Sequence, residues 1–443
     1  MKRVAHGGIS DREMWKNGQL RDIIRRLKGR LRVRGPFRGS IMRASKVVCI
    51  AASVAAGVAT PAFGQTGDTV ISRELAPGVA YRQFIDKRGP LVMYLIRADL
   101  RRGDLELRVA RANGRLKGRE KTSDMVRRAS NDGAAVLVAV NGDFFDLKTG
   151  ENENDQVIGG EWWKGLKVTD SPYDTYDNVH TQFAIDGARR PFMDRFMLDG
   201  KAWVNGRGSA TPIINVNHDV PPNPEGTALF TPRYGATTPR DTTRQTAEAQ
   251  LISVGRRGDT LVFVRRGAVS AQSGSAIPPN GAVLSAYGAG MRLQEVQAMR
   301  DGDTVSVLLT TLPRLSTGAA PALVVGGWPR ILRDGVSVAA DAATVEGTVS
   351  RNAEMKHPRT AVGFSRDSST LFILAIDGRS QRSVGVTLVE LASLMRQLGA
   401  WQAMNFDGGG STTMVIDGTV VNVPSDSTGE RAVGNALMVI RKK

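Results

Sequence analysis

The chain has 443 residues, of which 41% are hydrophobic, and it carries a net charge of +17. This length and composition support a large core and, by length alone, either two or three domains or one large one. Residues 1–46 hold 14 Lys and Arg against three Asp and Glu, so most of the excess charge lies in one tail. A charge confined to a tail does not favour a nucleic-acid-binding protein, and we expect no nucleic-acid partner.

The first 64 residues have the pattern of a basic extension followed by a leader. Residues 1–41 are rich in arginine and are either a disordered tail or a misassigned gene start upstream of Met42. A basic segment at 42–46 then precedes an apolar run at 47–58 and a small-x-small site at Ala62-Phe63-Gly64. This pattern predicts a signal peptide at 42–64 and a secreted or periplasmic protein. The apolar run is too short to span a bilayer, so we expect no stable membrane anchor.

The cysteine content agrees with export of a large bacterial protein. The only cysteine, Cys49, lies within the apolar run of the leader. A mature chain that begins near Gln65 would therefore contain no disulfide. Exported bacterial proteins do without disulfides when their core is large enough to stabilise them.

The first elements after the leader are strands. Alternating apolar residues at 78–84, 91–96 and 105–110 are typical of half-buried strands. We predict that residues 65–119 form a β-rich segment packed on the main domain.

A short helix at 121–130 and a buried strand at 134–140 come next. The strand delivers Asn141 and Asp143 at its carboxyl end, a frequent place for site residues. These two residues form either a turn or part of a site, and both interpretations stay open here.

The segment 151–180 is polar with interleaved aromatic residues, at Trp162, Trp163, Tyr173 and Tyr176. In an exported protein such rings either stack on sugar faces or anchor the loop to the body, and anchoring is the more common case. The acids of this segment lack the glycine and the terminal glutamate of an EF-hand calcium loop.

The middle of the chain, about 181–310, is rich in predicted strands, and a strand at 323–325 opens into the glycine pair Gly326-Gly327. Further on, residues 371–376 form a continuous apolar run, as expected for a strand buried on both faces. This run ends at Asp377-Gly378-Arg379.

The most informative stretch begins with a helix whose two ends are marked. Thr387 and Glu390 form an S/T-x-x-E capping box, and Gly399 can take the left-handed conformation after the last turn. The apolar face between these ends consists of Leu388, Leu391, Met395 and Leu398. An apolar strand at 403–406 follows, and it ends at Asp407.

Three glycines follow Asp407, and then come Ser411, Thr412 and Thr413. Consecutive glycines cost conformational entropy on folding, and adjacent main-chain N–H groups with hydroxyls favour an anion. The alternative is a tight turn that Asp407 caps. Two apolar strands thus end in Asp-Gly, at Asp377 and Asp407. If they are neighbours in one sheet, both carboxylates emerge at the same edge.

Five motifs in this order resemble the phosphodiester glycosidase family. They are NGDFF at 141–145, GGWPR at 326–330, HPRTAVG at 357–363, DGR at 377–379 and NFDGGGSTTM at 405–414. Asp143 and Trp328 stand where the family more often has a small residue and a glycine. These two departures concern the identity of the substrate more than the class of reaction.

The many short strands between sparse helices predict an α+β fold with a large mixed β-sheet and few helices. The resemblance implies a catalytic domain at 120–443. It also implies hydrolysis of the anomeric C–O bond of a sugar-1-phosphodiester, releasing a sugar and a phosphomonoester from a bacterial surface or extracellular glycan. This carbohydrate phosphodiester is the expected partner.

The resemblance also assigns roles to residues. The predicted catalytic residues are Asp407 and Asp377, which would face the sugar, and Arg359, which would grip the phosphate bidentately. The predicted substrate-binding residues are Asn141, Asp143, Gly327, Thr360, Arg379, Asn405, Gly408, Gly409, Gly410, Ser411 and Thr412.

Several alternatives stay open at this point. Arg359 could instead form a structural ion pair with one of the aspartates. His357 could be a packing residue. The mature chain has only three histidines and no cysteine, which argues against zinc. We therefore expect no cofactor, although Asp377 and Asp407 would suit a bound Ca or Mg ion. The rival functions are a non-catalytic glycan-binding protein and a metal-assisted phosphodiesterase that cuts the P–O bond.

Overall fold

A computed structural model describes residues 68–87, 89–167, 180–220, 226–315, 320–346 and 353–442. They belong to one of the two compact units of the chain, Ala62–Lys443. The predictions for the basic extension and for the signal peptide, and those for Tyr173 and Tyr176, lie outside the described residues.

The described part of the chain is dominated by strands. In chain order they are β1 (Asp68–Ala76), β2 (Val79–Asp86), β3 (Leu91–Asp99), β4 (Leu105–Arg111), β5 (Glu120–Lys121), β6 (Ala135–Asn141), β7 (Gln156–Ile158), β8 (Glu161–Leu166), β9 (Gln182–Asp186), β10 (Pro191–Asp194), β11 (Met197–Val204), β12 (Thr211–Ile213), β13 (Asn215–Val216), β14 (Gly226–Phe230), β15 (Thr246–Arg257), β16 (Thr260–Ser270), β17 (Gly281–Tyr287), β18 (Thr304–Leu312), β19 (Pro321–Gly326), β20 (Arg330–Arg333), β21 (Val336–Ser337), β22 (Arg359–Phe364), β23 (Thr370–Ile376), β24 (Gln402–Asn405), β25 (Met414–Ile416), β26 (Thr419–Val420), β27 (Ala432–Val433) and β28 (Asn435–Arg441). The helices are α1 (Thr122–Asn131), α2 (Met291–Gln297), α3 (Ala342–Val345) and α4 (Leu388–Gln397), with 3₁₀ turns at Ala112–Gly114, Ala339–Asp341 and Gly409–Ser411.

One layer of the fold is an eight-stranded sheet in the order β1-β2-β3-β23-β22-β24-β20-β21. Its central strand β23 is buried on both faces, as the apolar run at 371–376 predicts. Leu371, Ile373 and Ala375 point into one core, and Phe372, Leu374 and Ile376 point into another. The second core is covered by helix α4, which contributes the apolar face predicted from the sequence.

A five-stranded sheet, in the order β26-β25-β6-β28-β4, covers the first of these cores. Helix α1 packs on its outer face through Met125, Val126 and Ala129. Helix, sheet, sheet and helix therefore form four successive layers. Alternation along each strand supplies apolar side chains to both neighbouring layers.

A third sheet has thirteen strands, in the order β10-β9-β19-β7-β8-β13-β14-β17-β15-β16-β18-β11-β12. It surrounds a separate core that contains the buried ring of Trp162. Both Trp162 and Trp163 are buried in β8, which agrees with an anchoring role. Among the described strands, only β13 and β14 pair in parallel. The predicted α+β fold with few helices is confirmed, and its sheets are almost wholly antiparallel.

The N-terminal strands do not form a separate layer packed on the main domain. Strand β3 pairs with β23, and β4 pairs with β28. The described part of segment 65–119 is therefore hydrogen-bonded into two sheets that the C-terminal third of the chain also builds.

The capping box of α4 is present as predicted. The Thr387 hydroxyl accepts from the Glu390 N–H at 3.1 Å, and the Glu390 carboxylate accepts from the Thr387 N–H at 2.8 Å. Gly399, just after the helix, has a φ of +103°. The start of α4 is thus fixed locally, which matters because the residues before it contact the candidate site.

The strands that end at the two aspartates are not direct neighbours, because β22 lies between them. Strand β22 is antiparallel to both β23 and β24, so these two strands run in the same direction. Their carboxyl ends and the beginning of β22 meet at one edge of the sheet. Arg359 begins β22 and is therefore placed between the ends of the strands that precede Asp377 and Asp407.

Candidate active site

A cleft of about 240 Å³ opens at this edge of the eight-stranded sheet. It is lined by Phe144, Trp328, Pro329, His357, Arg359, Arg379, Leu388, Asn405, Asp407, Gly408, Gly409, Gly410 and Arg431. Each of the five motifs singled out in the sequence contributes at least one of these residues. The fold therefore brings segments that are far apart in the chain to one place.

The charges of the cleft are unequal. Among its lining residues, three carry guanidinium groups, Arg359, Arg379 and Arg431, and Asp407 carries the only carboxylate. Arginine matches the geometry of phosphate oxygens through paired N–H groups. The cleft can thus bind a phosphate and still place one carboxylate beside it.

Asp407 is held at both main-chain groups by the segment that follows β6. Its N–H donates to the Gly142 carbonyl at 2.9 Å, and its carbonyl accepts from the Asn141 side-chain amide at 2.6 Å. Its Oδ1 accepts from the Gly408 N–H at 2.9 Å. Burial raises the pKa of Asp407 to about 6, and the Ser411 hydroxyl and Arg431 counteract this rise in part. The carboxyl therefore titrates close to neutral pH.

Arg359 is buried, and main-chain carbonyl groups orient its guanidinium. Nε donates to the Val386 carbonyl at 3.1 Å, and Nη2 donates to the Met355 carbonyl at 3.1 Å. Burial, with Arg379 nearby, lowers the pKa of Arg359 to about 10, which leaves it charged at neutral pH. Within the described residues it forms no ion pair with Asp377 or Asp407, so the ion-pair interpretation is not what the structure shows.

Arg379 and His357 meet at the rim of the cleft. Nη2 of Arg379 donates to Nδ1 of His357 at 3.4 Å, so this ring nitrogen acts as an acceptor. Burial lowers the pKa of His357, and Arg359 and Arg379 lower it further. A neutral imidazole that accepts from an arginine fits a packing role for His357. Gly409 has a φ of +59° and leaves space for Arg379, whose Nη2 would lie 2.9 Å from an added Cβ.

Arg431 is a site residue that the sequence reasoning did not select. Asp426 holds it through two hydrogen bonds of 2.7 and 3.0 Å. An added Cβ at Gly410 would lie 2.1 Å from Asp426 Oδ1 and 2.2 Å from Arg431 Nη2. The third glycine of the run is therefore needed for the approach of this ion pair. In the sequence, Arg431 follows the segment VNVPSD at 421–426, which resembles the same family more weakly than the five motifs do.

The glycine amides are mostly used within the protein, contrary to the expectation that they hold phosphate oxygens. The N–H of Gly408 donates to Asp407, and that of Gly409 donates to the Pro358 carbonyl at 2.9 Å. Ser411 and Thr412 are buried, and their N–H groups close a tight turn onto Gly408 and Gly409. The N–H groups of Gly408 and Gly409 are therefore already engaged within the protein.

Asp377 does not line the cleft, although its strand ends at the same edge. Its Oδ2 accepts from the Tyr94 hydroxyl at 2.9 Å, and its Oδ1 accepts from the Val423 N–H at 3.0 Å. Asn422 approaches the same Oδ1 at 3.5 Å. These contacts place the carboxylate between the sheets rather than towards a sugar in the cleft. This arrangement corrects the expectation that Asp377 faces the substrate.

Asn141 and Thr360 support the cleft from below instead of lining it. Asn141 Oδ1 accepts from the Thr360 hydroxyl at 2.7 Å and from the Thr413 N–H at 3.1 Å. Since the Asn141 amide also holds the Asp407 carbonyl, these residues fix the position of the carboxylate. Their predicted role in direct substrate binding is replaced by a supporting one.

Asn405 does line the cleft, and its side-chain amide donates to the Trp328 carbonyl at 2.7 Å. Its Oδ1 is buried and has no hydrogen-bond partner among the described residues. Gly327 is required for close packing, because an added Cβ would lie 2.5 Å from Met404 and 2.6 Å from the Asn405 carbonyl.

Asp143 is buried beneath the cleft. Its two carboxylate oxygens accept from the Asn154 side-chain amide at 2.7 Å and from the Asn154 N–H at 3.1 Å. Burial raises the pKa of Asp143 to about 6, and the two Asn154 hydrogen bonds oppose this rise. Asp143 is therefore engaged within the protein and does not line the cleft.

In the described ranges, no three His, Cys, Asp or Glu side chains are grouped so that they could hold a metal ion. Nor does any helix in these ranges have the length and apolar character needed to cross a membrane.

Comparison with known proteins identifies the segment that carries most of this cleft. Residues 254–440 match the family model described as phosphodiester glycosidase. This segment of the chain is therefore similar to the phosphodiester glycosidases. Four of the five motifs lie within the matched segment, and only NGDFF precedes it. The resemblance inferred from these motifs is confirmed.

Two relatives share part of the sequence of this chain. The SPbeta prophage-derived uncharacterized protein YomE of Bacillus subtilis is 35% identical over 125 residues, 28% of this chain and 18% of its own length. N-acetylglucosamine-1-phosphodiester alpha-N-acetylglucosaminidase of Mus musculus is 29% identical over 154 residues, 33% of this chain and 29% of its own length. The chain therefore spans less than a third of either relative.

The fold of this chain also occurs in a solved structure. A hypothetical protein from Synechocystis superimposes with a TM-score of 0.63 at 20% identity. The match covers 85% of this chain and 64% of that one. It shows a shared fold that extends well beyond the segment matched by the family model.

Proposed function

We propose that the protein is an exported hydrolase that cleaves the anomeric C–O bond of a sugar-1-phosphodiester. The observation that carries the proposal is the cleft in which Arg359, Arg379 and Arg431 surround the single carboxylate of Asp407. The family of the domain supports a substrate of this class. A bacterial surface or extracellular glycan is the proposed source of the diester.

The charges of the cleft suggest separate catalytic roles for the arginines and for Asp407. As the C1–O bond breaks, its electron pair passes to the phosphate oxygen, and the anomeric carbon becomes positive. The arginines stabilise the phosphomonoester that leaves, so it needs little help from a general acid. Asp407, as a carboxylate, stabilises the positive sugar. Water then forms the new bond to C1, and the proton that it loses ends on the released phosphomonoester. These interactions strengthen as charge develops, which is the condition for catalysis.

The test is hydrolysis in water enriched in heavy oxygen. The methyl ester of N-acetyl-α-D-glucosamine 1-phosphate is a suitable first substrate, because the name of the mouse relative specifies that sugar and linkage. Label in the released sugar is expected and would establish C–O cleavage. Label in the phosphate would instead establish P–O cleavage by a phosphodiesterase. Saturable binding without turnover would make the protein a glycan-binding one.

Export is a separate part of the proposal and rests on the leader pattern at 42–64. The mature protein is expected to begin at or near Gln65. N-terminal sequencing of protein from the periplasm or the medium tests this directly. A cytoplasmic protein that retains Met1 would contradict it.

A further inference from the structure

One wall of the cleft is made by Trp328, where the sequence departs from the glycine usual in the family. The indole is half-buried and lines the cleft. Its N–H donates to the Glu346 carbonyl at 2.7 Å, so the polar edge of the ring is already engaged inside the protein. Trp328 therefore presents apolar ring surface to the cleft.

Two further rings fix the indole in place. His180 is buried and stacks on Trp328, with ring centroids 4.6 Å apart and planes inclined by 18°. Phe144 approaches Trp328 edge-on, at 5.7 Å and 74°, and also lines the cleft. Because His180 covers one face of the indole, the opposite face and the ring of Phe144 form an apolar corner.

A buried chain of hydrogen bonds sets the orientation of His180. The Asn154 side-chain amide donates to Asp143 at 2.7 Å, so its Oδ1 is the atom that faces Nδ1 of His180, at 3.0 Å. An amide oxygen can only accept, and Nδ1 of His180 must therefore carry a hydrogen. Asp143 thus selects the amide orientation of Asn154, and Asn154 selects the tautomer of His180.

The strand that precedes Trp328 packs closely against Asp143 and Asn154. An added Cβ at Gly326 would lie 2.3 Å from Asn154 Cβ and 2.6 Å from Asp143 Oδ2. The main chain before the tryptophan therefore rests on the Asp143–Asn154 pair. Asp143 and Trp328, the two departures from the family pattern, belong to one connected unit in this protein.

We propose that Trp328 is a stacking platform for the C–H face of the sugar ring and that Asp143, Asn154 and His180 are its positioning residues. This inference rests on the proposed function in taking the arginine end of the cleft as the phosphate site. A pyranose whose 1-phosphate lies on the arginines would lay its ring in the corner of Trp328 and Phe144. The substrate class is accordingly a phosphodiester whose sugar presents an unbroken apolar face.

The experiment compares two phosphodiesters of equal charge, one with a sugar ring and one without. The probes are the methyl ester of N-acetyl-α-D-glucosamine 1-phosphate and dimethyl phosphate. Binding is measured by calorimetry on the full chain carrying Asp407→Asn, which slows turnover. Adding Trp328→Ala is expected to weaken binding of the sugar ester about tenfold, as for loss of an aromatic stacking partner. Binding of dimethyl phosphate should not change.

His180 is tested in the same background. His180→Ala is expected to weaken binding of the sugar ester about threefold, because the indole loses the ring behind it. His180→Phe should restore most of that loss, since a flat ring again fills the space. If His180 had a purely structural role, His180→Ala would weaken the binding of both probes by the same factor. Trp401→Ala is the matched control: this tryptophan is also half-buried but does not line the cleft, and both affinities should be unchanged.

Three results would overturn the inference. They are equal affinity of the Asp407→Asn protein for both probes, equal loss for both probes in Trp328→Ala, and no effect of Trp328→Ala on the sugar ester. Hydrolysis plays no part in this measurement. Failure of the proposed reaction would show as missing turnover in the unmodified protein, while selective binding of the ring-bearing probe would still be observed.

Discussion

Replacement of Asp407 by asparagine should separate the activity of the protein from its stability. The substitution keeps the shape of the side chain and an acceptor for the Gly408 N–H, but removes the negative charge. Loss of a charge that stabilises a transition state in such a site costs on the order of 10²- to 10³-fold in rate. Turnover of a sugar phosphodiester and of a phosphate-free synthetic glycoside should fall alike, since both pass through a positive sugar.

The same substitution should stabilise the folded protein at neutral pH. A carboxyl whose pKa rises from 3.8 to about 6 on folding makes its ionised form cost up to about 3 kcal/mol of folding free energy. In the window between these two values the folded protein binds the proton more tightly than the unfolded chain. Wild-type stability therefore falls as pH rises through this window, and asparagine does not titrate.

Urea unfolding at several pH values measures this effect. The stability advantage of Asp407→Asn should be small near pH 4 and should grow to its full size above about pH 6. Asp155→Asn is the control, because burial raises the pKa of Asp155 to about 7 and the residue does not line the cleft. The stability advantage of Asp155→Asn over the wild type should develop over a pH window that extends to higher pH. The activity of this variant should be retained. A neutral-pH loss of stability in Asp407→Asn would refute the reasoning, because it would mean that the arginines outweigh burial.

Four further outcomes are expected. In the wild type, kcat/KM should decline as pH falls below about 6, following protonation of Asp407; a rate independent of pH down to pH 4 would contradict this. Arg359→Lys should slow hydrolysis of phosphodiesters far more than that of a synthetic glycoside without phosphate, because an ammonium lacks the planar fork; equal losses would make the arginine structural. Asp377→Asn should leave kcat nearly intact, because its carboxylate accepts from Tyr94 and does not line the cleft; a large loss of kcat at unchanged stability would restore the catalytic assignment. Gly410→Ala should raise KM by displacing Arg431, and an unchanged KM would show that this arginine does not bind substrate.

Local signals in the sequence were sufficient for several elements. The capping box of Thr387 and Glu390 marks the start of α4, and the unbroken apolar run of β23 indicates burial on both faces. The meeting of two strand ends at one sheet edge could also be inferred, because strands of like direction end on the same side. These features depend on neighbours in the chain, which a sequence displays directly.

The role of Asp377 could not be obtained in this way. Side chains alternate along a strand, so Asp377 continues the face of Ala375, which packs into the core between the two sheets. That core is where Tyr94 lies. Only the identity of the covering sheet decides that this face is internal. The contribution of Arg431 likewise depends on a loop that a distant strand positions. Such a long-range contact leaves no local pattern in the sequence.

The interleaving of the strands bears on how the protein reaches its native state. Strand β3 pairs with β23, and β4 pairs with β28, although most of the described chain lies between the partners. The thirteen-stranded sheet, by contrast, is built from one continuous stretch between Gln156 and Gly326. Contacts between distant residues form slowly because a long loop must first be closed. We therefore expect the thirteen-stranded sheet to form first, while the residues of the cleft stay apart until β28 closes the sandwich, so that catalytic competence is the last property the chain acquires.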